Sequence, residues 1–123
     1  MKIIFVCSGN TCRSPLAESI AKSLLPNDSI ASRGLFAVEG QAISKESLEL
    51  IHKYGLPEPS LAQTFRIDDL DADIILTMTQ AHKDLIFSMY GRQSNVFTLN
   101  EYVGDTQEID DPFGGSFLSL IHI

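Results

Sequence analysis

The chain has 123 residues, 44% of them hydrophobic, and a formal net charge of −7. That length builds one domain with a real core and is too short for two. The acidic balance argues against nucleic acid or an anionic membrane surface as the main partner, and it makes any local anion site more telling. No run is long enough to span a bilayer. Met1-Lys2-Ile3-Ile4 leads straight into a strand, with no signal-peptide cleavage pattern. The two cysteines, Cys7 and Cys12, stand in one stretch. This is no disulfide framework; it points to chemistry in a reducing compartment, with the cytoplasm as the expected location.

In chain order, Lys2 to Val6 predicts a buried parallel strand, continuous in apolar residues after Lys2. Cys7-Ser8-Gly9-Asn10-Thr11-Cys12-Arg13-Ser14-Pro15 follows. Then Leu16, Ala17, Ile20, Ala21 and Leu24 recur at helical spacing, predicting a helix from Ser14 to Leu25 that stops before Pro26. Ser29 to Arg33 predicts a weaker strand near a sheet edge. Gly34 to Ile43 reads as loop. Ser44 caps a second helix that Gly55 ends. Ser60 to Ala72 is turn-prone, with room for one short helix. Asp73 to Met78 is a strand, Thr79 caps a helix that stops at Gly91, and Asn95 to Leu99 is the last strand; the remainder reads as loop. Strands alternating with helices give an α/β fold with a parallel sheet covered on both faces, and ligands bind beyond the carboxyl ends of its strands.

The stretch after the first strand carries the chemistry. Ser14 and Pro15 suit the start of a helix, so the loop before them aims backbone N–H groups and the positive end of the helix dipole at one point. Gly9 permits the backbone geometry of an anion nest, and Asn10 tolerates a left-handed conformation. Residues Ser8, Gly9, Asn10, Thr11, Cys12, Arg13 and Ser14 would cradle a tetrahedral oxyanion, with Arg13 forking two of its oxygens. The same positive field favours the thiolate of Cys7, and Ser14 could donate a hydrogen bond to it. A thiolate aimed at a cradled phosphate is set for nucleophilic phosphoryl transfer through a phosphocysteine. Cys-x5-Arg alone arises by chance; strand, Gly-Asn, Ser-Pro and helix together carry the reading.

A poor leaving group needs a proton, and the loop holds no acid. The candidates are Asp105, Glu108, Asp110 and Asp111. Asp111 suits best, because Pro112 stiffens the chain after it and Gly114-Gly115 let the segment fold over a site. A second carboxylate at Asp110 would keep its neighbour protonated longer. An Asp-Pro pair also starts ordinary turns, and the local sequence leaves both uses open. Phe113 is either a pocket wall or loop packing, and Phe36 is a weaker candidate for the opposing wall, with packing the expected role. His52, His82 and His122 show no metal-ligand spacing with the cysteines, and the first two are expected to be solvated on their helices. Neither metal nor cofactor is expected.

Cys7 to Pro15 resembles the phosphate-binding loop of the low-molecular-weight protein tyrosine phosphatases. Ser32-Arg33-Gly34, Asp73 to Met78 and Asp111-Pro112-Phe113-Gly114-Gly115 fall where that family has matching segments, and the likeness runs from Met1 to about Ser116. Thr11, Val96-Phe97-Thr98-Leu99, Glu101-Tyr102-Val103 and the Asp-Pro-Phe-Gly-Gly run are most like its protein arginine phosphatase branch. The resemblance implies a flavodoxin-like, three-layer single domain with a four-stranded parallel sheet in the order 2-1-3-4. It implies Cys7 as nucleophile, Arg13 as phosphate clamp and Asp111 as general acid and then base. It places Asn10 and Ser32 as braces of the loop, Phe113 beside the substrate, and phosphorylated protein as the substrate. Thr11 stands where tyrosine-specific members carry a bulky aliphatic, so Thr11 and Phe113 are the expected specificity residues, with phosphoarginine preferred and phosphotyrosine the alternative. Cys12 either packs beneath the loop as a small apolar residue or pairs with Cys7, and the likeness favours a reversible disulfide between the two.

The family continues into a long C-terminal helix, and the sequence departs from it there. Residues 1–116 are expected to form the phosphatase-like domain and 117–123 an atypical apolar tail, with that helix missing and association through exposed apolar surface as the consequence. Two other classes compete. An arsenate reductase of the same fold needs further relay cysteines beyond these two. A phosphoprotein-binding module would hold phosphate without turnover.

Overall fold

The computed structural model describes residues 1–10, 13–59 and 61–106. Four parallel strands form its sheet: β1 (Lys2–Cys7), β2 (Ser29–Gly34), β3 (Ile74–Thr77) and β4 (Val96–Thr98), in the order β2-β1-β3-β4. Among the described residues four α-helices accompany them: α1 (Arg13–Leu24), α2 (Lys45–Lys53), α3 (Gln80–Tyr90) and α4 (Leu99–Thr106), with a 3-10 helix over Ile67–Asp71. The expected sheet order and the edge position of the second strand are both observed.

β1 is buried on both faces, and its side chains alternate between two cores. Ile3, Phe5 and Cys7 pack with Leu16, Ala17 and Ile20 of α1 and with Ile51 of α2. Ile4 and Val6 face Ile75, Ile86, Val96 and Phe65 on the other side. The central strand is thus sandwiched between helical layers, which is why its sequence is apolar at consecutive positions rather than alternate ones.

The helix starts follow their cap residues. The Ser44 hydroxyl accepts from Ser47 N at 3.3 Å, and the Thr79 hydroxyl accepts from His82 N at 3.3 Å. One element differs from expectation. The stretch after β4, read as loop, opens with α4. Thr98 Oγ1 accepts from Glu101 N at 3.1 Å, while Glu101 Oε1 accepts from Thr98 N at 2.9 Å. This reciprocal box starts a helix directly from the strand end. Leu99 is buried there, so tertiary packing holds the first turn down.

The expectations for Thr11, Cys12, Asp111, Phe113 and the 117–123 tail lie outside the described residues.

Candidate active site

The two loops that matter leave the carboxyl ends of β1 and β3. β1 connects to β2 on one side and β3 to β4 on the other, so the crevice between these neighbours is the topological switch point. Cys7 is the last residue of β1 and sits at the mouth of this crevice.

The two residues that follow β2 shape the loop by capturing carbonyls of Cys7 and Ser8. Leu35 N donates to Cys7 O at 2.9 Å, and Phe36 N donates to Ser8 O at 2.8 Å. A trans peptide places its N–H opposite its C=O, so the N–H groups of Ser8 and Gly9 point away from β2. Asn10 takes φ 55, the left-handed turn of the loop. Of the two residues expected to supply unusual backbone geometry, it is Asn10 rather than Gly9 that adopts a positive φ. Alternating hands of this kind bring successive N–H groups to one side.

Gly34 sets how closely β2 can approach. A Cβ there would lie 2.7 Å from Ser8 O, 2.9 Å from Asn10 N and 2.8 Å from the Ala37 Cβ. Two of those three atoms are loop backbone, which cannot rotate aside.

Cys7 is 7% exposed. Its Sγ accepts from Asn10 N at 3.2 Å and lies 2.8 Å from Ser14 Oγ. Ser14 Oγ also donates to Asn10 Oδ1 at 2.8 Å, and Asn10 Nδ2 donates to Ser32 O at 3.3 Å. Ser14 has one proton for two acceptors. With a thiol, S–H donates to Ser14 and Ser14 to Asn10. With a thiolate, the Ser14 proton turns to sulfur, which then accepts from both Ser14 and Asn10. The bracing expected of Asn10 and Ser32 is observed, and it runs through the Ser32 carbonyl. That carbonyl also accepts from Arg33 Nη1 at 2.7 Å, and Arg33 Nε pairs with Asp69 at 3.3 Å.

Arg13 is the first residue of α1, half-buried, and among the described residues it has no hydrogen-bond or ion-pair partner. Its guanidinium acts on the loop's surroundings all the same. It depresses the pKa of His82, adding to the larger effect of burial. His82 is not simply solvated on its helix, as its sequence position suggested. Its Nε2 lies 2.9 Å from Ser8 Oγ. His52, by contrast, is exposed as expected, 3.8 Å from Glu58.

One further residue was not anticipated. Glu18, one turn along α1, is 0% exposed. It accepts from the Ser32 hydroxyl and pairs with Lys22 Nζ at 2.6 Å. A buried carboxylate without partners is costly, so this cluster ties α1 to β2 directly below the loop. The sequence signal was a glutamate inside an apolar helical face with a lysine at i+4. Phe36, for which packing was the favoured of two roles, is 70% exposed, with its backbone N donating to Ser8 O, so its side chain is not packed away at the loop's edge. Among the described residues there is no cluster of three or more His, Cys, Asp or Glu side chains able to hold a metal, and no helix long and apolar enough to cross a membrane.

A buried cysteine cupped by amide and hydroxyl donors at the switch point of a flavodoxin-like sheet defines a class of α/β proteins built around an anion-holding loop. Comparison makes the class specific. Residues 2–122 match the family described as low molecular weight phosphotyrosine protein phosphatase. The low molecular weight protein-tyrosine-phosphatase PtpB of Staphylococcus epidermidis is 96% identical over 117 residues, covering 95% of this chain and 84% of that protein. The protein of the same description from Staphylococcus aureus is 52% identical over 122 residues, 99% of this chain and 88% of that one. Among solved structures, the YwlE arginine phosphatase from Geobacillus stearothermophilus superposes with a TM-score of 0.82 at 32% identity, covering 98% of this chain and 88% of its own. A serine variant of YwlE arginine phosphatase, its active-site serine phosphorylated, gives 0.82 at 36% identity, covering 99% of this chain and 85% of that one. The chain belongs to the low molecular weight protein-tyrosine phosphatase family. It is a phosphatase.

Proposed function

We propose that this phosphatase hydrolyses phosphoarginine in proteins through a phosphocysteine on Cys7. The carrying observation is the sulfur itself, buried yet accepting from Asn10 N at 3.2 Å and lying 2.8 Å from Ser14 Oγ, whose one proton can turn to it. A structural cysteine needs neither. Two such donors stabilise a thiolate where a loop of amides and Arg13 would hold the phosphoryl group. In the first step the Cys7 thiolate attacks phosphorus, the P–N bond breaks, and the departing guanidine takes a proton from Asp111. In the second, Asp111 takes a proton from water, the water oxygen attacks phosphorus, the S–P bond breaks, and inorganic phosphate leaves with the thiolate restored. Ser8, Gly9, Thr11 and Cys12 complete the phosphate cradle, and Phe113 flanks the substrate. Residues 1–116 carry this site, with the apolar tail at 117–123 outside it. The substrates are phosphorylated proteins of the cytoplasm, and no metal, cofactor, nucleic acid or membrane takes part.

Phosphoarginine is preferred because Thr11 offers a hydroxyl that can hydrogen-bond a guanidinium or a waiting water, where a branched aliphatic cannot. YwlE arginine phosphatases among the structural neighbours support this choice. The names of the staphylococcal relatives favour phosphotyrosine as the second reading. Turnover of a phosphoarginine and a phosphotyrosine peptide by wild type and Thr11→Ile separates the two. The wild type should favour phosphoarginine, and the substitution should move the ratio about tenfold towards phosphotyrosine, the worth of one hydrogen bond to a charged group. A ratio unchanged by the substitution contradicts the role given to Thr11.

A further inference from the structure

The crevice at the switch point has two banks. The Cys7 loop is one. The other is the first turn of α3, reached directly from the carboxyl end of β3 and capped by Thr79. His82 reaches across from it, with Nε2 2.9 Å from Ser8 Oγ. The other ring nitrogen, Nδ1, is buried and finds no hydrogen-bond partner among the described residues. Burial lowers the imidazole pKa, and the positive charge of Arg13 pushes the same way, so the ring is neutral at neutral pH.

A neutral imidazole has one N–H and one lone pair, and the two tautomers differ in consequence. With the proton on Nδ1, a buried N–H goes unbonded, and Nε2 draws the Ser8 hydroxyl proton towards α3. With the proton on Nε2, the ring donates to Ser8 Oγ. The bare Nδ1 lone pair then sits in the positive field of Arg13, and an under-used acceptor is better tolerated than an orphaned N–H. The second arrangement leaves the Ser8 proton free. Ser8 is exposed, and its backbone N–H already points away from β2.

We propose that His82 is a positioning residue of the phosphate loop, donating through Nε2 to Ser8 Oγ and so turning the Ser8 hydroxyl proton towards the bound phosphoryl group. This rests on the phosphatase reading of the loop given above. His82 acts through Ser8 and does not itself touch the reacting atoms.

The test measures inhibition by inorganic phosphate and steady-state turnover of an aryl phosphate. It compares wild type, Ser8→Ala, His82→Leu, His82→Gln and the Ser8→Ala/His82→Leu double variant, with the thermal melt of each. Loss of one hydrogen bond should weaken phosphate binding roughly three- to tenfold in His82→Leu. The double variant should bind no worse than Ser8→Ala, because the histidine acts only through that hydroxyl. His82→Gln carries an N–H at the reach of Nε2 and should recover most of the loss. Additive losses, a glutamine variant as weak as leucine, or unchanged phosphate inhibition would each overturn the assignment. Nitrogen NMR of the wild-type ring gives a readout independent of any variant: an Nε2–H tautomer is expected, and Nδ1–H refutes it. Cys7→Ser is run in parallel. If that variant turns over, the phosphatase reading falls. If it is dead while the His82 variants bind phosphate like wild type, only the role of His82 falls.

Discussion

Replacing Cys7 with serine should lower turnover of an aryl phosphate by roughly 10⁴-fold or more while inorganic phosphate still binds. The two atoms differ little in size but greatly in acidity. Asn10 N at 3.2 Å and Ser14 Oγ at 2.8 Å can stabilise a sulfur anion, and no base among the loop residues could remove the proton of an alcohol. The donors proposed to hold phosphate are backbone amides and Arg13, which the substitution leaves in place. Steady-state kinetics and calorimetric titration with phosphate separate the two effects. Turnover within tenfold of wild type would contradict the account. So would loss of phosphate binding in a variant that still melts cooperatively.

Gly34→Ala should be the most damaging substitution outside the loop itself. The added methyl would stand 2.7 Å from Ser8 O and 2.9 Å from Asn10 N, so β2 or the loop must move. Overpacking of this kind costs about 1–3 kcal/mol of stability. The larger loss is functional, because those two backbone atoms belong to the residues that position the sulfur and the amides. A displacement approaching 1 Å lowers turnover by roughly 10²-fold. Gly55→Ala provides the contrast. Gly55 has φ 62 and nothing within 4 Å of the added Cβ, so its substitution strains the backbone by about 1 kcal/mol and leaves turnover unchanged. Urea melts and kcat for both variants check this. Equal kcat losses in the two would mean that the close packing of Gly34 on the loop has no catalytic consequence.

The fold was legible because its signals are local. An apolar run, a Ser-Pro helix start, the caps at Ser44 and Thr79 and the stop at Gly91 each act within a few residues, and the strand order followed from the family likeness. α4 had a local signal too, Thr98-x-x-Glu101, but it lies inside what also reads as a strand end, and the strand pattern masked it. Cys7, Asn10, Arg13 and Ser14 together marked the loop as an anion site, and the structure joins Cys7, Asn10 and Ser14 in one hydrogen-bonded cluster. What surrounds the loop was not legible. The contact of Ser8 with His82 spans 74 positions, and the contact of Glu18 with Ser32 joins a helix to an edge strand 14 positions away. Neither partner carries a motif, so only the crossover topology brings them together. Gly34 stood within a segment matched by family likeness, but its reason, the approach of Ser8 and Asn10, is a property of packing. Of the two roles open to Phe36, packing was favoured because an aromatic in a loop reads as core unless the loop's direction is known, and its exposure disfavours that role.

The most direct measurement is capture of the covalent intermediate. In the proposed mechanism Asp111→Asn would lack the base that activates water, and an aryl phosphate with a good leaving group needs no acid for the first step. Rapid quenching of that mixture followed by peptide mass spectrometry should find one phosphoryl group, on the sulfur of Cys7. A phosphoryl group on any other side chain, or continued turnover with none on Cys7, would contradict the account.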